Sequence, residues 1–184
     1  MNPRHRNFLT CLRDFARARS GLAAVEFAAI LPFMLTAYLG GIELGDGVAI
    51  NRKVAVTTRA VADLASRYTT IKNADMASIL GASSSVIAPY DAGQLAVTVS
   101  QVSVDSNGNA SISWSDTLNG TARAVNSPIT LPGGLATPNS SYILGEVKYN
   151  YTPVLGYVLT GTLNFSNQIF MSPRESASVT RVNS

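Results

Sequence analysis

At 184 residues the chain has room for one domain of ordinary size, and its 46% apolar and 14% charged residues make it greasy for a soluble protein. The formal charge of +3 is uneven: residues 1–20 carry +4 through Arg4, Arg6, Arg13, Arg17 and Arg19 against Asp14, and the remainder carries −1. No basic patch for nucleic acid is left on the folded part, and with the single Cys11 and single His5 both near the N-terminus, cysteine and histidine chemistry is excluded from the rest.

Residues 1–21 read as a basic cytoplasmic leader. From Phe27 to Ile42 sixteen residues carry no charge, and starting at Leu22 gives twenty-one, interrupted only by Glu26. A hydrocarbon core of about 30 Å takes about 20 helical residues to cross, so a transmembrane helix is predicted over 22–45. Five arginines precede the apolar run, whereas Glu43 and Asp46 follow its last residue, Ile42, before Arg52 and Lys53. That asymmetry predicts a cytoplasmic N-terminus and an extracytoplasmic domain over 46–184. A cleavable secretory signal is the competing reading. Gly47-Val48-Ala49 has its small-x-small pattern, but the apolar run is too long and two acidic residues intervene. Pro32 predicts a kink within the helix. Gly40, Gly41, Gly45 and Gly47 predict either a bendable, locally unwound exit or close helix packing in lipid.

The start of the apolar run reads Arg19-Ser20-Gly21-Leu22-Ala23-Ala24-Val25-Glu26-Phe27. It places a carboxylate one turn inside lipid, costly unless paired or protonated and a functional candidate for that reason. A Glu snorkelling at the cytoplasmic interface accounts for the same placement.

A basic leader ending in Gly, four apolar residues, Glu at the fifth position and an aromatic at the sixth resembles a type IV prepilin processing junction. The wording Ala24-Val25-Glu26-Phe27-Ala28, Leu31-Pro32-Phe33 and Gly41-Ile42-Glu43-Leu44-Gly45 is similar to the TadE-like family, over about residues 15–65. Those are pilin-like minor subunits of the tight-adherence (Tad, or Flp) pilus system. The resemblance implies a cut between Gly21 and Leu22 by a membrane-embedded aspartyl prepilin peptidase, with Glu26 fifth in the mature chain. It also implies that Glu26 and Phe27 set subunit register during assembly. The chemistry agrees, since cleavage exposes an ammonium on Leu22 that attracts a neighbouring subunit's Glu26 at low dielectric. A glycine at the cut leaves an extended backbone unobstructed in a protease cleft.

Past the membrane, Val54, Val61, Leu64 and Tyr68 recur at helical steps, with Arg52, Lys53, Arg59 and Asp63 off the stripe. The helix is predicted to continue as a spine to about residue 67. A short helix follows at 74–80, with Asn73 as N-cap. Leu95, Val97 and Val99 alternate and Val102 and Val104 continue in the opposite phase, predicting a strand with a bulge near Ser100 and Gln101. The cluster Asp105-Ser-Asn-Gly-Asn109 predicts a hairpin turn, with 110–114 as the returning strand. Strands are predicted at 142–151, ended by Pro153, and at 165–171, with loops over 116–141 and 156–164. The fold expected is α+β: a long N-terminal transmembrane helix packed as a spine on a small antiparallel sheet, as in pilins. Tyr149-x-Tyr151-x-Pro153 and the later Arg174 echo the same family more faintly.

Asp75, Asp91, Asp105, Asp116, Glu146 and Glu175 are scattered and form no recognisable catalytic pair. Asp105 lacks the distal Glu of an EF-hand loop, and no Gly-rich phosphate loop occurs. The expectation is therefore a non-enzymatic pseudopilin without cofactor or metal, single-pass in a bacterial inner membrane with a periplasmic domain, or carried to the pilus and cell surface. Its expected partners are the prepilin peptidase, other pilin-like subunits, the inner-membrane pilus assembly platform and membrane lipid, in adhesion or secretion. The alternative is a permanently anchored binding domain, not cleaved at Gly21, using Tyr142, Tyr149, Tyr151, Tyr157 and Phe165; at strand spacing such residues more often serve the core.

Overall fold

One helix organises the molecule. The computed structural model describes residues 20–153 and 161–183; the leader through Arg19, with His5 and Cys11, and also Tyr157 lie outside them. Helix α1 (Ser20–Ser66) is followed by β1 (Thr70–Ile71), α2 (Asn73–Ile87), a 3-10 turn (Ala92–Gln94), β2 (Leu95–Val104), β3 (Ala110–Leu118), β4 (Ser141–Tyr151), β5 (Leu163–Met171) and β6 (Thr180–Arg181). The class is α+β: one long apolar N-terminal helix and a four-stranded antiparallel sheet in the order β3-β2-β4-β5, beside a small parallel β1–β6 pair.

At 47 residues α1 is about 70 Å long. It continues through Pro32 and through Gly40–Gly47, so the exit from the apolar segment is helical rather than unwound. From Gly40 onward its buried positions are Gly40, Glu43, Gly47, Ile50, Val54, Thr57, Thr58, Val61, Ala62, Ala65 and Ser66. Steps of three and four place them on one face. The predicted stripe from Val54 onward is only its lower half, because glycines and a glutamate carry the upper half. The hydroxyls of Thr57 and Thr58 donate to the carbonyls of Lys53 and Val54, at 2.8 Å each, which lets them be buried.

The face of α1 lies against β4 and β5. Ala62 seats over Gly145, where an added Cβ would come within 2.9 Å of the Ala62 methyl and 3.1 Å of the Thr58 carbonyl oxygen. Glycine is what allows the helix this close to the sheet. Leu95, Val97, Val99, Ile143, Val147 and Tyr149 complete this first core with α2.

Helix α2 runs to Ile87, twice the predicted length, because Ile79, Leu80, Ser83 and Ile87 continue its buried face through a serine run that resembles a loop. Its N-cap is Lys72, whose N–H donates to Asp75 Oδ2 at 3.0 Å, not Asn73. Asn73 is instead the first helical residue.

The bulge occurs opposite the predicted place. Pairing shifts between Gln101 and Val102, but the extra residue is Ser113 on β3, since Gln101 faces Trp114 and Val102 faces Ile112. The bulge therefore sends Ile112 and Trp114 to opposite faces. Trp114 joins the first core, and Ile112 joins a second with Val102, Val104, Tyr142 and Leu144, covered by Ile129, Leu131 and Leu135. The phase change in β2 records a change of buried face, not a slip in that strand. The hairpin turn forms as predicted, with Asp105 Oδ1 accepting the N–H groups of Asn107 and Asn109 at 2.8 Å each and Gly108 at φ +85°.

The C-terminal segment ties the far end shut. The Arg174 N–H donates to the carbonyl of Ser66, the last residue of α1, at 2.8 Å, and its guanidinium and that of Arg67 both pair with Asp63. The Trp114 indole donates to Val179 O at 2.7 Å, while the Val179 N–H donates to Gln101 Oε1. Arg181 bridges Asp116 (2.8 Å), Asn73 Oδ1 (2.7 Å) and the carbonyl of Val182 (2.6 Å). Arg181→Ala strands Asp116 beside the core, and we expect it to cost about 2–4 kcal/mol. The measurement is urea unfolding of the detergent-solubilised chain, followed by the emission of nearby Trp114.

Candidate functional site

Among the described residues, the apolar run of α1 from Leu22 to Tyr38 packs on nothing. Leu22, Val25, Phe27, Ile30, Phe33, Met34 and Tyr38 are exposed around its whole circumference, Phe33 to 77%, whereas Ile50 on the same helix is 0% exposed. The sequence dictates this arm: a run apolar on every side has no polar face to turn toward water and fits a lipid surrounding. The helix is long and apolar enough to cross a membrane. Pro32 lacks an N–H, which leaves the carbonyl four residues earlier without its helical donor. Thr36 Oγ1 donates to the Pro32 carbonyl at 2.8 Å, one turn further on.

The predicted junction lies at the start of this arm. Gly21 is in the first turn of α1, and nothing within the described residues lies within 4 Å of a Cβ added there. Leu22, Glu26 and Phe27 are all exposed. Leu22 and Glu26 are one turn apart, a rise of about 6 Å. The carboxylate is thus offered outward from an apolar rod.

Where the arm meets the domain, an aromatic cluster closes the sheet. Tyr90 meets Tyr149 edge-on at 6.4 Å between ring centres, and Tyr151 lies 6.4 Å from Phe165, whose ring is 3.7 Å from a Cβ built on Gly47. Burial raises the phenol pKa of Tyr149, with Asp91 adding to it. Burial likewise raises that of Tyr151, followed by the charges of Asp46 and Glu43. Tyr142 sits in the second core. The aromatic residues proposed for a binding site are therefore divided between two faces, and the described ones serve mainly as packing.

The carboxylates are dispersed as well. Asp63 and Asp116 hold the C-terminal strap, Asp75 and Asp91 bond helix-start N–H groups, and Asp105 is engaged by its own turn. Glu146 takes both prongs of Arg123, at 2.6 and 2.7 Å, and that hydrogen bonding raises the arginine's pKa. Among the described residues no group of three potential metal ligands occurs.

No family model, curated protein or solved structure matches the chain.

One feature escaped sequence reading: a groove of about 550 Å³ beside α1, lined by Gly45, Val48, Ala49, Arg52, Lys53, Val56, Pro89 and Tyr90. Its signal was present in the steps from Gly45 through Ala49 to Arg52 and Val56, which follow the exposed side of the same helix.

Proposed function

We propose that the chain is a pilin-like structural subunit of the TadE-like kind, cut after Gly21 by a prepilin peptidase and required for assembly or secretion through a Tad-type pilus. The observation that carries this reading is the bare apolar arm, with Gly21 at its start and Glu26 displayed one turn further on, extending from a domain that closes around the other half of the same helix. A subunit that must leave the bilayer and join others needs such an arm, because apolar surface from neighbouring arms replaces the lipid. The new ammonium on Leu22 gives the neighbour's Glu26 its counter-charge, and Phe27 adds apolar contact beside it. Before processing, the leader arginines hold the N-terminus in the cytoplasm and the domain in the periplasm. The partners on this reading are the peptidase, other pilin-like subunits, the assembly platform and membrane lipid.

Intact-mass measurement on the protein purified from membranes tests it. With an active peptidase the chain is expected to begin at Leu22; without one it retains residues 1–21. A chain still carrying its leader in the presence of the peptidase identifies the permanently anchored alternative.

A further inference from the structure

The groove beside α1 has a composition of its own. Its floor is small and apolar, formed by Gly45, Ala49, Val48 and Val56, and its wall is Pro89 and Tyr90. The two ionisable side chains above that floor are Arg52 and Lys53. Arg52 is exposed and makes no ion pair among the described residues. Lys53 donates once, to the Val86 carbonyl at 3.1 Å, leaving two N–H groups. Asp46, about two turns before Lys53 on the same helix, is exposed and is not among the residues that line the groove.

Position along the rod supplies the rest. The apolar run ends at Ile42, and the α-carbon of Arg52 is about 15 Å further along the axis. Headgroups extend roughly 5–8 Å beyond the hydrocarbon on each side of a bilayer. Side chains on a helix tilt toward its N-terminus, so those of Arg52 and Lys53 lean back toward the membrane. Exposure of apolar groups continues past Ile42 through Leu44 and Val48, along the path from the arm into the groove. Tyr90 is the kind of residue that favours the level where lipid meets water.

We propose that this groove seats the headgroup of an anionic phospholipid from the outer leaflet of the same membrane, with Arg52 and Lys53 on its phosphate and Val48, on the membrane side of them, against its glycerol. This rests on α1 crossing the membrane and not on the cut at Gly21. Bound this way, a lipid fixes the height of the domain above the bilayer.

The experiment is native mass spectrometry of the full chain released from bilayers of mixed phosphatidylcholine and phosphatidylglycerol. The wild type is expected to retain one phosphatidylglycerol in preference to phosphatidylcholine. Arg52→Gln with Lys53→Gln is expected to lower that retention roughly twenty-five-fold, about fivefold for each cation. Ala49→Leu, which fills the floor and leaves both cations in place, is expected to lower it as well. Equal retention by all three proteins overturns the proposal, as does loss of a dimer instead of a lipid. The mass of the N-terminus in the same spectra reports processing separately, so the two readings fail independently.

Discussion

Gly145→Val is expected to lose about 3 kcal/mol or more of stability. The position is a close approach between α1 and the sheet. A Cβ there meets the Ala62 methyl at 2.9 Å and the Thr58 carbonyl oxygen at 3.1 Å, and the second of these is helix backbone. A side chain can turn aside, but a carbonyl inside a helix cannot do so without breaking its own hydrogen bond. The helix must therefore lift away from β4 along the residues that bury Val61, Ala62 and Ala65, and overpacking of that kind costs about 1–3 kcal/mol even for small insertions. Urea unfolding followed through Trp114 measures the loss. Gly145→Ala is expected to be milder, and adding Ala62→Gly to it should recover part of the difference, since the two methyls then no longer compete. If Gly145→Val unfolds at the wild-type urea concentration, the helix and sheet are not packed as described.

The second large effect belongs to the other end of the chain. Gly21→Phe is expected to abolish processing, leaving the precursor at full mass, because a bulky side chain obstructs the extended backbone in the peptidase cleft. Glu26→Ala is expected to leave processing nearly intact while reducing filaments at least about tenfold. Its loss removes the counter-charge from a desolvated ammonium, and leaving a buried charge unpaired costs about 3–5 kcal/mol. Immunoblots of sheared surface fraction against whole cells separate the two steps. Wild-type filament yield from Glu26→Ala would remove the charge-pairing argument, and cleavage of Gly21→Phe would remove the site.

Much of this architecture was legible because periodicity reports burial. The apolar arm, the hairpin at Asp105 and the strands around Val97, Val147 and Ile169 all announce themselves by a run, a turn cluster or an alternation. The departures have physical causes. Helix α2 extends past its expected end because Ser83 can be buried when its hydroxyl returns to the Leu80 carbonyl, which makes a serine run behave as a helix. The buried face of α1 begins nearly four turns early because glycine and glutamate carry no hydrophobic signal, although Gly40, Glu43 and Gly47 keep the spacing. The location of the bulge depends on β3, where Ser113 is an ordinary alternating residue until its partner strand is known. The β1–β6 pair was invisible because two residues on each side create no pattern. At the candidate site, Glu26 stands out as a carboxylate inside an apolar run, and Gly21 and Leu22 are singled out only by the resemblance to a prepilin junction, whereas the groove needed Pro89 and Tyr90, which approach α1 only through the fold.

The alignment of α1 with the sheet has a mechanical consequence. Gly47 lies beside Phe165 near the start of β5, Ala62 lies over Gly145, and Ser66 meets Arg174 just after β5 ends, so helix and strand run side by side in the same direction. Tension applied through the arm thus acts along the contact and not across it. Pulling the rod free requires the whole row from Gly47 to Ala65 to slide at once, with the Arg174 clamp as an end stop. A domain hung from its anchor in shear resists load far better than one that can be peeled.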